Sequence, residues 1–187
     1  MRIVEENTDV LEEYGEVSIA FEVKTIFQIK SAKDGFNDFN FTEKAVDVPW
    51  IKDYDIIEGP ARRAKQWDIS NWGIFSVFEN DHRIGGACIA YDTKGVNFLE
   101  DRKDISALWD IRLNPEFRNQ GIGSKLFRKA VEWSRNKGCN QMKIETQNIN
   151  VPACRFYAKQ GCRLGEINFH AYQELPEETM LVWYKSI

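Results

Sequence analysis

The stretch that decides the fold runs from Arg112 to Trp133, RLNPEFRNQGIGSKLFRKAVEW. Pro115 stops the extended segment ISALWDIRL that leads into it. Beyond the glycines, Ile122, Leu126, Ala130 and Trp133 recur at helical spacing and predict a helix over 122–137, with Gly138 at its end. A strand, a basic glycine turn and a helix in this order set backbone N–H groups at a helix start. The helix dipole favours an anion there, and glycine lets a phosphate approach closely. Arg118 and Lys125 add positive charge. The turn is no Walker A loop, because Gly123 is followed by Ser124 and then Lys125, the wrong order. It is no dinucleotide fingerprint either, because Leu126 stands at the third glycine position. The pattern that fits is [RQ]xxGxG, on Arg118, Gly121 and Gly123. On the loop alone, glycines that merely allow close helix packing are the competing reading.

Working outward, WGIFSVFE and RIGGACIAY, split by Asn80, Asp81 and His82, form a hairpin. Before it, VSIAFEVKTIFQIK alternates from Val17 and predicts a strand with Val17, Ile19, Phe21 and Val23 on one face. DGFNDFNFTEK carries a turn into a second extended stretch near Phe39 to Val46. Short helices are expected at Glu5 to Tyr14 and Pro60 to Asp68. After the long helix, QMKIETQ is a short strand. Asn150 then caps a helix with Pro152 in its first turn and Gly161 at its end. Strands at Cys162 to His170 and Thr179 to Lys185 close the chain. The expectation is a mixed α/β sheet in one domain, 1–187.

Composition narrows the function classes. The 187 residues are 43% hydrophobic and 29% charged, as in ordinary globular proteins. No apolar run approaches the ~18 residues of a membrane span, and the acidic N-terminus MRIVEENTDVLEEYGE has no signal-peptide core. Cys88, Cys139, Cys154 and Cys162 form no CxxC pair and read as reduced thiols, with Cys154 a buried filler. His82 and His170 lie far apart without neighbouring ligands, so no metal is expected. A cytoplasmic protein follows, with no membrane partner. Residues 1–60 hold 14 acids and 6 bases, whereas 121–187 hold 6 acids and 10 bases. That asymmetry suits a cationic ligand on one side and an anionic one on the other, or simply an uneven solvated surface. The net charge of −4 and the lack of a basic-aromatic stripe disfavour nucleic acid.

The loop resembles the pyrophosphate loop of the GNAT N-acetyltransferase superfamily. ETQNINVPACRFYAKQGCRLG resembles that family's second motif, NxxAxxxYxxxGF, through Asn150, Ala153, Phe156, Tyr157 and Gly161, with Cys162 in place of the phenylalanine. This likeness covers roughly residues 70–187. Within the superfamily, LWDIRLNPEFRNQGIGS…EW…IETQNINVPACRFYAKQGC…WY is similar to the streptothricin acetyltransferase pattern YxEDIxVxxxFRGQGIGS…EW…LETQxxNxxACKFYxxCGF…WY. FTEKAVDVPWIKDY is similar to that group's FTE…PYLKSY stretch, which extends the likeness from about residue 20. Three departures stand out. Trp109 replaces the first acid of the ED pair, and Asn119 replaces the glycine after the loop arginine. In DYDIIEGPARRAKQWD, Arg62, Arg63 and Lys65 offset Asp53, Asp55 and Glu58, which weakens the case for a polycationic substrate.

The resemblance implies a GNAT-like single domain, a mixed and mostly antiparallel sheet flanked by helices with splayed central strands. A cofactor core would span about 105–165, and acceptor-side elements about 17–68 and 166–180. It implies acetyl-CoA as cosubstrate. The loop Arg118, Asn119, Gln120, Gly121, Ile122, Gly123 and Ser124 would hold the pyrophosphate. Backbone groups of Ile111 and Leu113 would pair with the pantetheine arm by β-augmentation, and one N–H would serve as oxyanion donor. Asn150 would cap its helix, touch the pantetheine arm, or both, with Asn148 beside it. Tyr157 is the expected general acid: a phenol of pKa ~10 can protonate a departing thiolate of pKa ~8.5 if adjacent. The alternative is a ring packed beside Phe156. An amine of pKa ~10.4 needs a base, and Glu145 and Asp110 are the two candidates, each able to act through water or to serve only as a strand-end carboxylate. Trp50, Tyr54 and Tyr172, with Glu145, are the candidate acceptor-pocket residues, plain packing being the alternative for the aromatics.

The expected activity is acetyl transfer to a primary amine of a small cationic acceptor, with a streptothricin-type antibiotic as the first candidate and resistance as the outcome. A polyamine, another amine-bearing drug or a protein N-terminus are alternatives, as is a non-catalytic acyl-CoA-binding module. A homodimer is left open.

Overall fold

The computed structural model describes residues 1–31, 39–56 and 59–187, with Arg63 described by its backbone only. The turn expected before Phe39 and the charge of Glu58 lie outside the described residues. By contacts the chain forms two compact units. The first holds Met1–Ala20, Asp53–Ile144 and Tyr184–Ile187, and the second holds Phe21–Lys52 and Glu145–Trp183.

The first unit begins with strand β1, Arg2–Glu6, then a 3-10 turn and the short helix α1, Leu11–Gly15. The helix expected over Glu5 to Tyr14 is present from Thr8, as the 3-10 turn and α1, while Glu5 and Glu6 belong to β1. Ile3 and Val4 pair antiparallel with Val77 and Ser76 of the hairpin, and the sheet recruits the N-terminus ahead of its weak helical pattern. After α2, Pro60–Ala64, come β4, Gly73–Glu79, and β5, His82–Tyr91. Asn80 and Asp81 join them with φ of 46° and 64°, the left-handed pair a two-residue hairpin turn demands. Strand β6, Ile105–Leu113, pairs antiparallel with β5. Helix α3, Ile122–Asn136, ends at Gly138 with φ +85°. Strand β7, Gln141–Gln147, runs parallel to β6, which requires the α3 crossover between them. The strand order in this unit is β1-β4-β5-β6-β7. On one face of the sheet, Leu11, Tyr14, Trp72, Ile74, Cys88 and Leu99 form a buried core.

The second unit contains the ribbon of β2, Phe21–Ser31, and β3, Phe39–Lys52, which pair antiparallel with a register shift between Val23 and Thr25. The strand expected from Val17 starts four residues later, because the carbonyls of Val17 and Ala20 accept bonds from arginine side chains instead of a neighbouring strand. Helix α4 covers Val151–Lys159. The Asn150 side chain accepts from Ala153 N at 3.2 Å, a cap worth about 1 kcal/mol. Strands β8, Arg163–Asn168, and β9, Met180–Ser186, follow, with β9 between β7 and β8. The Asn148 side chain ties β2 to the start of β9's segment: it donates to Phe27 O and accepts from Thr179 N.

Candidate active site

Strand β6 carries the candidate residues of the first unit. Its parallel register with β7 runs only from Ile105↔Gln141 to Leu108↔Ile144. On its other side, Ile89 pairs with Leu108 and Cys88 with Asp110, so Trp109 is the extra residue of a β-bulge. The bulge falls where the parallel register stops, and Trp109 to Leu113 lie beyond it. A bulge bends and twists its strand, which is how an edge opens for an extended ligand. Trp109 itself packs against Trp67 and Trp72, at 5.2 and 5.1 Å between ring centroids. The replaced acid has become part of an aromatic cluster.

The glycine turn follows. Asn119 adopts φ +62° and Gly121 φ +80°. A Cβ on Gly121 would meet nothing within 4 Å, so glycine is needed there for its backbone freedom and not for space. Asparagine tolerates the left-handed region better than other side chains, which explains how it replaces glycine at 119. No side chain caps the N-terminus of α3. Its first N–H groups are thus presented as an anion cradle of the kind a pyrophosphate would fill. The Arg118 side chain turns to backbone carbonyls. Its Nε donates to Leu113 O at 2.9 Å and a terminal nitrogen to Ala20 O at 3.0 Å, while burial lowers its pKa. It braces the turn through two carbonyls.

Asp110, one of the two candidate bases, is buried in an ion cluster. One oxygen accepts from Tyr14 Oη at 2.6 Å and Arg112 Nε at 2.9 Å, and the other from Arg112 at 2.5 Å. Arg112 also bonds both oxygens of Asp55 at 2.7 and 3.2 Å and Val17 O at 2.9 Å. Burial alone would lower the Arg112 pKa, but the Asp110 and Asp55 carboxylates more than offset it and raise the value. Burial and the Asp110 charge push the Tyr14 phenol well above its ordinary range. Sequence reasoning named Asp110 and Asp55 but missed Arg112 and Tyr14. Arg112 stands two residues from Asp110 on a strand and so shares its face, a signal that was available.

In the second unit, Glu145 is near the end of β7. It accepts from Tyr172 Oη at 2.7 Å, and the Gln147 amide donates to the same phenol at 3.0 Å. Burial and the nearby Glu145 charge raise the Tyr172 pKa, so the phenol remains a donor. Tyr157 is buried on α4, its ring edge-on to Phe156 at 5.2 Å between centroids. Trp50 on β3 is exposed and Tyr54 half-buried. Cys154 is buried, and burial pushes its thiol up to about 11, which fits a filler. Among the described residues no group of three or more His, Cys, Asp or Glu side chains could hold a metal. No helix there is long and apolar enough to cross a membrane.

A mostly antiparallel sheet flanked by helices, with an uncapped helix start behind a glycine turn, defines a mixed α/β fold. The chain belongs to the acetyltransferase (GNAT) family, whose model matches residues 42–162, and it is an acetyltransferase by class. Streptothricin acetyltransferase A of Bacillus subtilis (strain 168) is 26% identical over 148 residues, 78% of this chain and 79% of that protein. The streptothricin acetyltransferase of Escherichia coli is 33% identical over 110 residues, 57% of this chain and 63% of that one. The crystal structure of a Bacillus anthracis str. Ames protein in complex with acetyl coenzyme A superimposes with a TM-score of 0.77. It covers 100% of this chain and 99% of that one at 24% identity, a likeness of fold.

Proposed function

We propose that this protein acetylates a primary amine of a small cationic acceptor, with a streptothricin-type antibiotic the first candidate. The observation that carries the reading is the uncapped start of α3 behind the left-handed Gly121, immediately after the freed stretch of β6. These residues fit acetyl-CoA, which when bound supplies an activated thioester. Backbone N–H groups from Asn119 to Ser124 receive the pyrophosphate, and Ile111 and Leu113 offer backbone groups to the pantetheine arm. Leu113 O already accepts from Arg118, which holds that end of the strand in place.

Glu145 takes the amine proton, directly or through water, and Tyr157 returns one to the departing sulfur. Glu145 is preferred to Asp110 as base because both Asp110 oxygens are engaged by Arg112 and Tyr14. Asp110 would have to break a buried ion pair to accept a proton, and such a rupture is costly. Trp50, Tyr54 and Tyr172 are the proposed walls for the acceptor. The name shared by the two curated relatives supports a streptothricin acceptor. The pairing of Glu6, Glu43 and Asp55 with Arg83, Arg155 and Arg112 leaves less free acidity for a polycation than the count in residues 1–60 suggests.

The test is thiol release from acetyl-CoA with streptothricin, beside spermidine, kanamycin and an N-terminal peptide. Streptothricin-selective release is expected. Release with another amine alone would reassign the acceptor, and cofactor binding without turnover of any amine would leave an acyl-CoA-binding module.

A further inference from the structure

Two irregular segments of the first unit meet β6 at one side chain. Arg112 is fully buried, with its guanidinium 5.0 Å over the Tyr14 ring. All three of its nitrogens donate: Nε to Asp110, one terminal nitrogen to Asp110 and Asp55, and the other to Asp55 and to the carbonyl of Val17. The carbonyl of Gly15 lies 3.5 Å from the same nitrogen. Gly15 to Ala20 has almost no strand or helix of its own, so these carbonyls depend on Arg112 and on Arg118. Asp55 is the outermost member of the cluster, its side chain 20% exposed, and it stands next to Tyr54.

We infer that Arg112 is a positioning residue for the acceptor: with Asp110 it clamps Asp55, and so fixes Tyr54, against the face of β6 opposite Ile111 and Leu113. The inference rests on the proposed amine acetylation and refines it. Side chains at 110 and 112 project to one face of β6 and those at 111 and 113 to the other. The clamp therefore acts on the acceptor segment while the pantetheine-pairing backbone groups and the α3 cradle stay as they are. A planar guanidinium can hold two carboxylates in a fixed bidentate geometry, which the rotatable point charge of a lysine does not impose. Asp110 is the buried half of this clamp and thereby has a role that does not require it to accept a proton.

The experiment compares Asp55→Asn and Arg112→Lys with the wild type. It reads the KM for the amine, the KM for acetyl-CoA, and hydrogen exchange of residues 15–20 and 53–56. Asp55→Asn keeps the shape and removes the charge at the rim, so it is the variant expected to fold. The expected result is an amine KM raised about tenfold, an acetyl-CoA KM within about twofold, and faster exchange at 53–56. Arg112→Lys gives the same split and also speeds exchange at 15–20. Equal changes in both KM values, or an unchanged amine KM, overturn the inference. If the wild type binds acetyl-CoA but acetylates no amine, the proposed function fails by itself. The clamp is then judged by exchange, and unchanged protection at 53–56 in both variants overturns it.

Discussion

The Tyr172 hydroxyl donates a 2.7 Å hydrogen bond to the Glu145 carboxylate while accepting one from Gln147 at 3.0 Å. A strand end and the segment after β8 thus share one acidic group. Since burial and the Glu145 charge raise the Tyr172 pKa, the phenol stays protonated and keeps donating across the pH range in which an amine is acetylated. With Glu145 as the proposed base, Glu145→Gln should lower kcat by about 100-fold or more. Tyr172→Phe should lower it by about tenfold, through lost orientation of the carboxylate. Steady-state kinetics on both variants checks this, with little change expected in the KM for acetyl-CoA.

Tyr157 offers a second kinetic test. Its ring is buried against Phe156, and Tyr157→Phe retains that packing while removing the proton. Turnover should fall by about 100-fold with cofactor affinity nearly intact, measured by calorimetric titration of CoA alongside the rate. Wild-type turnover in this variant would return Tyr157 to a packing role.

The glycine turn separates backbone freedom from space. Gly121→Ala meets no neighbour but must hold φ +80°, so it should cost about 1–2 kcal/mol of strain and raise the acetyl-CoA KM. Asn119→Gly should be neutral or slightly favourable for the loop, since glycine accepts φ +62° more readily. Thermal unfolding with and without CoA distinguishes the two.

Tyr14 predicts an alkaline limit on stability. Burial, then the Asp110 charge, raises its folded pKa well above the ordinary ~10. Below pH ~10 both folded and unfolded states keep the proton, and the stability is fully present. Above that value the unfolded state ionises first and gains, so stability should fall as pH rises. Tyr14→Phe loses the bond to Asp110 but also loses this titration, so its melting temperature should decline less between pH 9 and 11. Melting curves across that range provide the check.

Local chemistry made much of this architecture readable. Asn80 and Asp81 announce a hairpin because both tolerate left-handed backbone, and Asn150 with Pro152 announces a helix start because each suits one position of the first turn. The same reasoning found the loop of Arg118, Gly121 and Gly123. It did not find the strand over Arg2 to Glu6, reading Glu5 and Glu6 as the start of a helix, and it began the next strand at Val17, four residues early. Those segments have no decisive pattern, and their backbone groups are satisfied by Val77 and its neighbours in one case and by Arg112 and Arg118 in the other.

The sequence by itself determined the order of elements from the hairpin onward, the glycine turn and the family motifs, because glycine, proline and hydrophobic spacing act on the few residues beside them. Only the tertiary structure decided what the charges do. Asp110 is separated from Tyr14 by 96 positions and from Asp55 by 55. Its availability as a base depends on which groups fold against it, and Arg112 and Tyr14 do. The Arg118 side chain likewise braces two carbonyls, one of them 98 positions away. A buried charge must find its partners wherever the chain brings them, and sequence distance carries no record of that choice.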